Sequence, residues 1–329
     1  MEHVRLGTTG LKVSRLCLGT MTFGSQCDEE VSRKVLDRAD DAGITFLDTA
    51  DVYPLGGDDT TVGRTEEILG GWLKGRRNRF VVATKCFGRT GPAAWDGGNS
   101  RRHIMEAVEQ SLRRLRTDWI DLYQLHAYDP ETPLDETLEA LDDLVRSGKV
   151  RYVGCSNFLA YQVARALGRS EVRGLTRMVS VQPRYNLLFR PFERELFPLC
   201  QEEGLGVITY NPLAGGLLTG KYTPRQQPSE GRFALPEAGR MYRDRYWRDA
   251  EFRAVDSLHG IAREAGLTLG VAALAWVMAN PAVTAPIVGV SSPEQLDTAL
   301  TASGTRLDPE VKARLDKATR IFRWGDASR

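Results

Sequence analysis

Eight short apolar runs, most of them followed by a stretch of helical period, constrain this chain more than any other feature. The runs cover residues 16–18, 45–47, 80–83, 120–125, 150–154, 178–181, 206–209 and 285–288. Nearly all are short, β-branched or aromatic, and bounded by Gly, Asn, Asp or Pro, as parallel strands buried on both faces tend to be. Between them, residues 28–42, 101–115, 135–146, 192–203 and 293–300 space apolar residues three and four apart, with charges on the other face. A doubly wound sheet usually needs fewer strands and opens on a glycine fingerprint. The count therefore predicts an α/β architecture, the (β/α)8 TIM barrel, with residues 1–329 as one domain. Residues 4–13 read as an N-terminal β-hairpin placed to cap the barrel bottom. Residues 86–100 and 221–250, rich in Gly, Pro and Arg, fit neither strand nor helix and read as long loops at the C-terminal face.

Composition narrows the partners. Lys and Arg (44) nearly cancel Asp and Glu (43), leaving a formal charge of +1. No global field thus favours nucleic acid or an anionic membrane. Five widely spaced cysteines with no C-x-x-C pair read as reduced thiols. The N-terminus lacks the apolar core of a secretory signal, and no apolar run approaches the length of a membrane span. A cytoplasmic location is expected, with oligomeric state not legible.

Chemistry in such a barrel sits where strands end. After the second run stand Asp48 and, five residues on, Tyr53; after the third, Lys85; after the fourth, His126; after the fifth, Ser156 and Asn157. Gln182 and Tyr210 follow the sixth and seventh. A cation beside a phenol is expected to lower the tyrosine pKa, while a carboxylate keeps the lysine charged and aimed. Tyrosine then serves as general acid, and a neutral histidine orients a substrate carbonyl toward an attacking hydride. The set suits carbonyl reduction.

At these residues the sequence resembles the aldo-keto reductase superfamily, closest to the branch of potassium-channel β subunits and many bacterial reductases. The likeness lies in FLDTADVY (46–53), ATKC (83–86), DLYQLH (121–126), GKVRYVGCSNF (148–158), VQPRYN (181–186) and YNPLAGGLLTGKY (210–222). The resemblance implies a barrel that binds NADPH/NADP+ without a Rossmann domain and reduces a small-molecule carbonyl substrate. It makes Tyr53 the proton donor, tuned by Lys85 and Asp48, with His126 orienting the carbonyl. Ser156, Asn157 and Gln182 would hold the nicotinamide carboxamide, and Tyr210 would stack on its ring. Further cofactor contacts would come from Gly19, Thr20, Met21 and Asp48, and from Asn211, Leu213, Gly215, Leu217 and Lys221. Arg232 would reach over from the long loop, and Gly289, Ser291 and Gln295 would close the set. The chain departs from the resemblance where a basic residue is common (Gly289, Gln295) and where a Glu-Asn pair is common (Thr298, Ala299), so the strictness of NADPH over NADH is not legible.

Other readings carry less weight. Residues 215–221 match G-x-x-x-x-G-K, but Tyr222 stands where a P-loop needs Ser or Thr. His3, His103 and His259 have no partner at metal-ligand spacing, so no metal site is expected. Cys155 reads as a small core residue. The run 240–248, RMYRDRYWR, reads as a solvated loop or cofactor cover rather than a nucleic-acid platform. A slow cofactor-sensing binding protein, as channel β subunits are, is the alternative to an enzyme. Trp95, Tyr128, Trp247, Phe322 and Trp324 are candidates for an aromatic substrate pocket, beside the acidic segment 54–61.

Overall fold

The computed structural model describes residues 1–57, 60–225, 228–229 and 231–323; Trp324 and the two acids of the 54–61 segment lie outside them. Strands β1 (His3–Arg5) and β2 (Lys12–Ser14) pair antiparallel as a hairpin. The chain then alternates strand and helix: β3 (Cys17–Gly19), α1 (Glu29–Asp41), β4 (Phe46–Asp48), α2 (Arg64–Leu73), β5 (Val81–Cys86), α3 (Arg101–Leu115), β6 (Ile120–Leu125), α4 (Leu134–Arg146), β7 (Val150–Ser156), α5 (Ala160–Arg173), β8 (Ser180–Gln182), α6 (Leu196–Glu202) and β9 (Gly206–Thr209). Three helices follow, α7 (Glu237–Tyr246), α8 (Asp249–Glu264) and α9 (Leu269–Met278), before β10 (Val283–Gly289), α10 (Leu296–Ser303) and α11 (Pro309–Ala318). Strands β3 to β10 form a closed parallel barrel, β10 pairing with both β3 and β9. This is a (β/α)8 TIM barrel with an N-terminal hairpin.

Two apolar layers hold it. Outward residues such as Leu18, Leu47, Val82, Tyr123 and Val207 join the helices in one large core. Alternate strand residues point the other way. Cys17, Phe46, Ala83, Leu122, Ile208 and Ala285 fill the barrel axis together with Leu6 and Val13 of the hairpin. Gly206 has no side chain because Leu6 occupies that space: a Cβ there would lie 2.4 Å from Leu6 Cδ1. The hairpin thus plugs the barrel bottom, and the opposite end is left for polar residues.

Helix starts follow local chemistry. Asp28 accepts from Val31 N–H, Ser100 from His103 N–H and Thr268 from Val271 N–H, each satisfying an end donor that has no partner within the helix. One expectation is corrected: residues 221–250 are not loop throughout, since α7 and the start of α8 lie within them. Helix α7 is anchored by Tyr242 and Tyr246, both buried and one turn apart. Among the described residues no single helix is long and apolar enough to cross a membrane.

Candidate active site

The axis-facing parity of the barrel fixes which polar side chains meet at its open end. Two residues beyond Phe46, Ala83 and Leu122 on the same faces come Asp48, Lys85 and Gln124. They form one buried layer with Gln182. Lys85 Nζ donates to Asp48 Oδ1 at 2.5 Å and to the Thr49 carbonyl at 2.8 Å. Asp48 Oδ2 accepts from Gln182 Nε2 at 2.8 Å and Gln124 Nε2 at 3.2 Å. The buried ion pair is therefore hydrogen-bonded on both carboxylate oxygens, the condition under which burying charge is tolerated.

Tyr53 stands over this layer in the turn after β4. Its carbonyl accepts from Gly63 N–H, which ties the turn to the start of α2. Its hydroxyl lies 3.4 Å from Lys85 Nζ, and its ring meets the His126 ring edge-on at 5.8 Å. The structure thus brings Asp48, Tyr53, Lys85 and His126 to one mouth. Burial alone would lower the Lys85 pKa, but Asp48 and Tyr53 together hold it above the ordinary lysine value. Burial pushes His126 down to about 3, with Lys85 adding to the effect, so the ring is neutral at pH 7.

For Tyr53 the net direction differs from the expectation. Burial raises its pKa, Lys85 opposes and Asp48 adds to the rise, leaving the phenol above its ordinary value. Much of the ammonium's field is spent on Asp48. The hydroxyl is accordingly a full proton donor at neutral pH.

The His126 shift carries a stability prediction. In the unfolded chain His126 takes up a proton below about pH 6.5, whereas the folded site keeps it neutral to about 3. Between those values the unfolded state binds more protons, so stability falls as pH falls. Urea titrations from pH 7 to 4 should show a smaller pH dependence in His126→Gln than in the wild type. Identical slopes would contradict a neutral, desolvated His126.

Polar residues follow the mouth along the ends of β7 to β10. Ser156 Oγ donates to the Gln182 carbonyl at 2.8 Å, and Asn157, in the left-handed region at φ 58°, donates from Nδ2 to the His126 carbonyl at 2.9 Å. Tyr210 donates its hydroxyl to Asn157 Oδ1 at 2.8 Å, which fixes the ring. Gln182 uses its amide nitrogen on Asp48 and Gln124, leaving Oε1 to accept. Beyond Tyr210 the backbone turns through Asn211, Ala214, Gly215 and Gly216, all at positive φ. Gly215 is required there twice over, since a Cβ would also lie 2.8 Å from the Tyr242 ring. Asn211 holds the turn, accepting from Gly215 N–H at 2.6 Å and donating to Tyr246 Oη at 2.9 Å.

Arg232 crosses from the long segment to the end of β10. It donates to Tyr242 Oη at 2.8 Å, and a Cβ on Gly289 would lie 2.7 Å from its guanidinium. A basic group thus stands at Gly289 although the residue itself has none. Ser291 N–H donates to Gln295 Oε1 at 2.9 Å, and Gln295 Nε2 donates back to Ser291 Oγ at 3.0 Å. On the far side Gly19 closes against Ile287, Thr20 donates twice to the Asp48 carbonyl, and Met21 accepts from Leu55 N–H. Lys221 is exposed, Leu213 half-buried, and Leu217 buried in the core.

Other sequence readings fare differently. Trp247 packs with Tyr222, Phe233 and Phe252 in an aromatic cluster beneath the segment, and Phe322 lies by α11, where its carbonyl accepts from Arg190 N–H. Trp95 lies beneath the Arg102 guanidinium, and Tyr128 meets Phe158 edge-on. No ring contact among the described residues joins these four into one pocket. Gln124 was missed, although an amide at an inward position of an otherwise apolar strand is a readable signal.

The comparisons agree with this geometry. The pattern of the aldo/keto reductase family matches residues 15–320. The chain is 40% identical to an uncharacterized oxidoreductase, YrpG, of Bacillus subtilis over 319 residues, covering 94% of both proteins. It is 38% identical to a probable voltage-gated potassium channel subunit beta of Arabidopsis thaliana over 304 residues, covering 90% of this chain and 89% of that one. To the versiconal hemiacetal acetate reductase of Aspergillus parasiticus it is 34% identical over 340 residues, 94% of each. A match spanning the whole barrel, with relatives alike nearly end to end, shows that the chain belongs to the aldo/keto reductase family, whose members are oxidoreductases generally dependent on NAD(P)H.

Proposed function

We propose that this oxidoreductase reduces an aldehyde or ketone to an alcohol with NADPH, Tyr53 giving the proton. The observation that carries the reading is the Tyr53 hydroxyl at 3.4 Å from a lysine whose charge is fixed by a buried aspartate. NADPH, when bound, supplies the hydride. The residues fit the cofactor: Gln182 Oε1 and Asn157 offer amide partners for a carboxamide, the Tyr210 ring is held as a stacking face, and Arg232 places a cation beside the glycine that ends β10.

In this reading the chain divides the work. Tyr53 and neutral His126 both donate to the carbonyl oxygen, which raises the electrophilicity of the carbonyl carbon and fixes its face. As negative charge develops on that oxygen, the Tyr53 proton moves to it. Lys85, hydrogen-bonded to the phenol, stabilises the phenolate left behind. Asp48 holds Lys85 protonated and prevents its ammonium from swinging toward substrate. The five cysteines are free and buried, which suits work in a reducing compartment such as the cytoplasm.

The test is loss of NADPH absorbance with a panel of aromatic and aliphatic aldehydes and simple ketones. Steady turnover at about 1 s⁻¹ or faster on some member is the expected result, at the lower end of ordinary enzyme rates. A second reading, suggested by the plant relatives named as probable channel β subunits, is a cofactor-binding partner protein. That reading expects tight cofactor binding with turnover orders of magnitude slower.

A further inference from the structure

The arginine-rich run 240–248, on α7 and just past its end, is only partly used by the contacts just described. Arg243 bonds the Phe233 carbonyl and Arg248 the Asp244 carbonyl, but among the described residues Arg245 has no hydrogen-bond or ion-pair partner. A second unpaired guanidinium lies nearby. Arg184 follows Gln182 by two residues, at the end of β8, and its backbone bridges that of Tyr210. Its guanidinium carbon sits 3.5 Å from the Phe189 ring centroid and 5.7 Å from that of Tyr246, the neighbour of Arg245. It too has no acidic partner among the described residues.

Both side chains are half-buried. Desolvating a cation without a counter-charge is unfavourable, and other buried or half-buried arginines of this protein, Arg77, Arg114 and Arg190, avoid it by pairing with an acid. Stacking on Phe189 offsets part of that cost for Arg184 and holds the guanidinium plane, leaving its edge N–H donors in a fixed fork. Such a fork matches a carboxylate or phosphate. Both positive charges also act on the Tyr210 and Tyr246 hydroxyls, lowering phenols that burial raises, and Lys85 acts on Tyr210 as well. Arg184, bridged to Tyr210 at the end of β8, therefore stands at the barrel end that carries the proposed chemistry, and Arg245 adjoins in sequence the Tyr246 ring that Arg184 approaches.

We infer that Arg184 and Arg245 form a recognition site for an anionic group on the carbonyl substrate, a carboxylate or phosphate held beside Tyr210. The inference rests on the reductase reading and specifies its substrate class: oxo acids or phosphorylated carbonyls rather than neutral ones. The anion replaces the missing counter-charge, so the pair gains a partner only when substrate is bound.

The test compares ortho, meta and para formylbenzoate with their methyl esters, which keep the aldehyde and remove the charge. For at least one isomer the wild type should show kcat/KM about tenfold or more above its ester, the factor one charge-assisted hydrogen bond supplies. Arg184→Gln and Arg245→Gln should each remove that preference through KM, with ester turnover and NADPH affinity unchanged. Equal kcat/KM for every acid and its ester would overturn the inference, as would a preference that survives in the double variant. Weakened NADPH binding in both variants would also overturn it, because the pair would then serve the cofactor's phosphates. Calorimetric binding of phthalate, isophthalate and terephthalate separates this inference from the reductase reading. If no aldehyde is turned over but a dicarboxylate binds the wild type and not the double variant, the anion site stands and the reductase reading falls. If none of the dicarboxylates binds the wild type, the anion site falls.

Discussion

Tyr53→Phe should lower turnover by about 10²–10⁴-fold, the usual contribution of a positioned general acid, while leaving the NADPH dissociation constant within about twofold. The ring stays in place because its anchors are backbone bonds and the edge contact with His126, none of which uses the hydroxyl. What disappears is the O–H hydrogen-bonded to Lys85. The loss should appear in kcat and kcat/KM together, as for an interaction made chiefly in the transition state. A variant reducing aldehydes at near-normal rates would remove Tyr53 from the chemistry and leave His126 or a solvent molecule as donor.

Lys85→Met should be costly twice. Removing the ammonium leaves Asp48 buried with only the two amide donors of Gln124 and Gln182, and breaking a buried pair on one side typically costs about 3–5 kcal/mol. Urea unfolding measures that loss. The Lys85 pKa is raised in the folded state, so its stabilising contribution is fully present below the ordinary lysine value near about 10.4. It is lost only as pH rises through the still higher folded value. The gap between wild type and variant should therefore be constant from pH 7 to 9. Asp48→Asn combined with Lys85→Met removes both charges and should recover part of the stability but none of the activity. A double variant as unstable as the sum of its parts would show that the pair is not coupled.

The sequence made some elements plain and hid others for physical reasons. All eight barrel strands lie at the short apolar runs, because strands buried on both faces are apolar at most positions. Helix α9 is apolar on all sides, so it shows a run rather than a period, and only its buried position explains it. Helix α7 was hidden for the opposite reason: its buried stripe is little more than Tyr242 and Tyr246 in a basic stretch. Helix α2 carries two consecutive glycines, one of which lets it approach the backbone at Arg114 and Leu115, and that weakens the helical signal.

At the mouth, the positions of Asp48, Lys85 and Gln182 follow from strand parity, which is legible once the strands are placed. The direction of the Tyr53 shift is not, because it depends on how burial compares with a lysine already paired to aspartate. Nor could a sequence show that Arg232, nearly sixty positions before Gly289, stands against it.

A tryptophan-fluorescence titration with NADPH and NADH tests most directly, before any substrate is known, that this mouth holds a nicotinamide cofactor for hydride transfer. Saturable quenching by NADPH, tighter than by NADH and retained in Tyr53→Phe, is the predicted result. It would place Arg232 beside the adenosine phosphate as the source of the preference. Equal affinity for the two cofactors would deny Arg232 that role, and binding of neither would contradict the functional account while leaving the barrel standing.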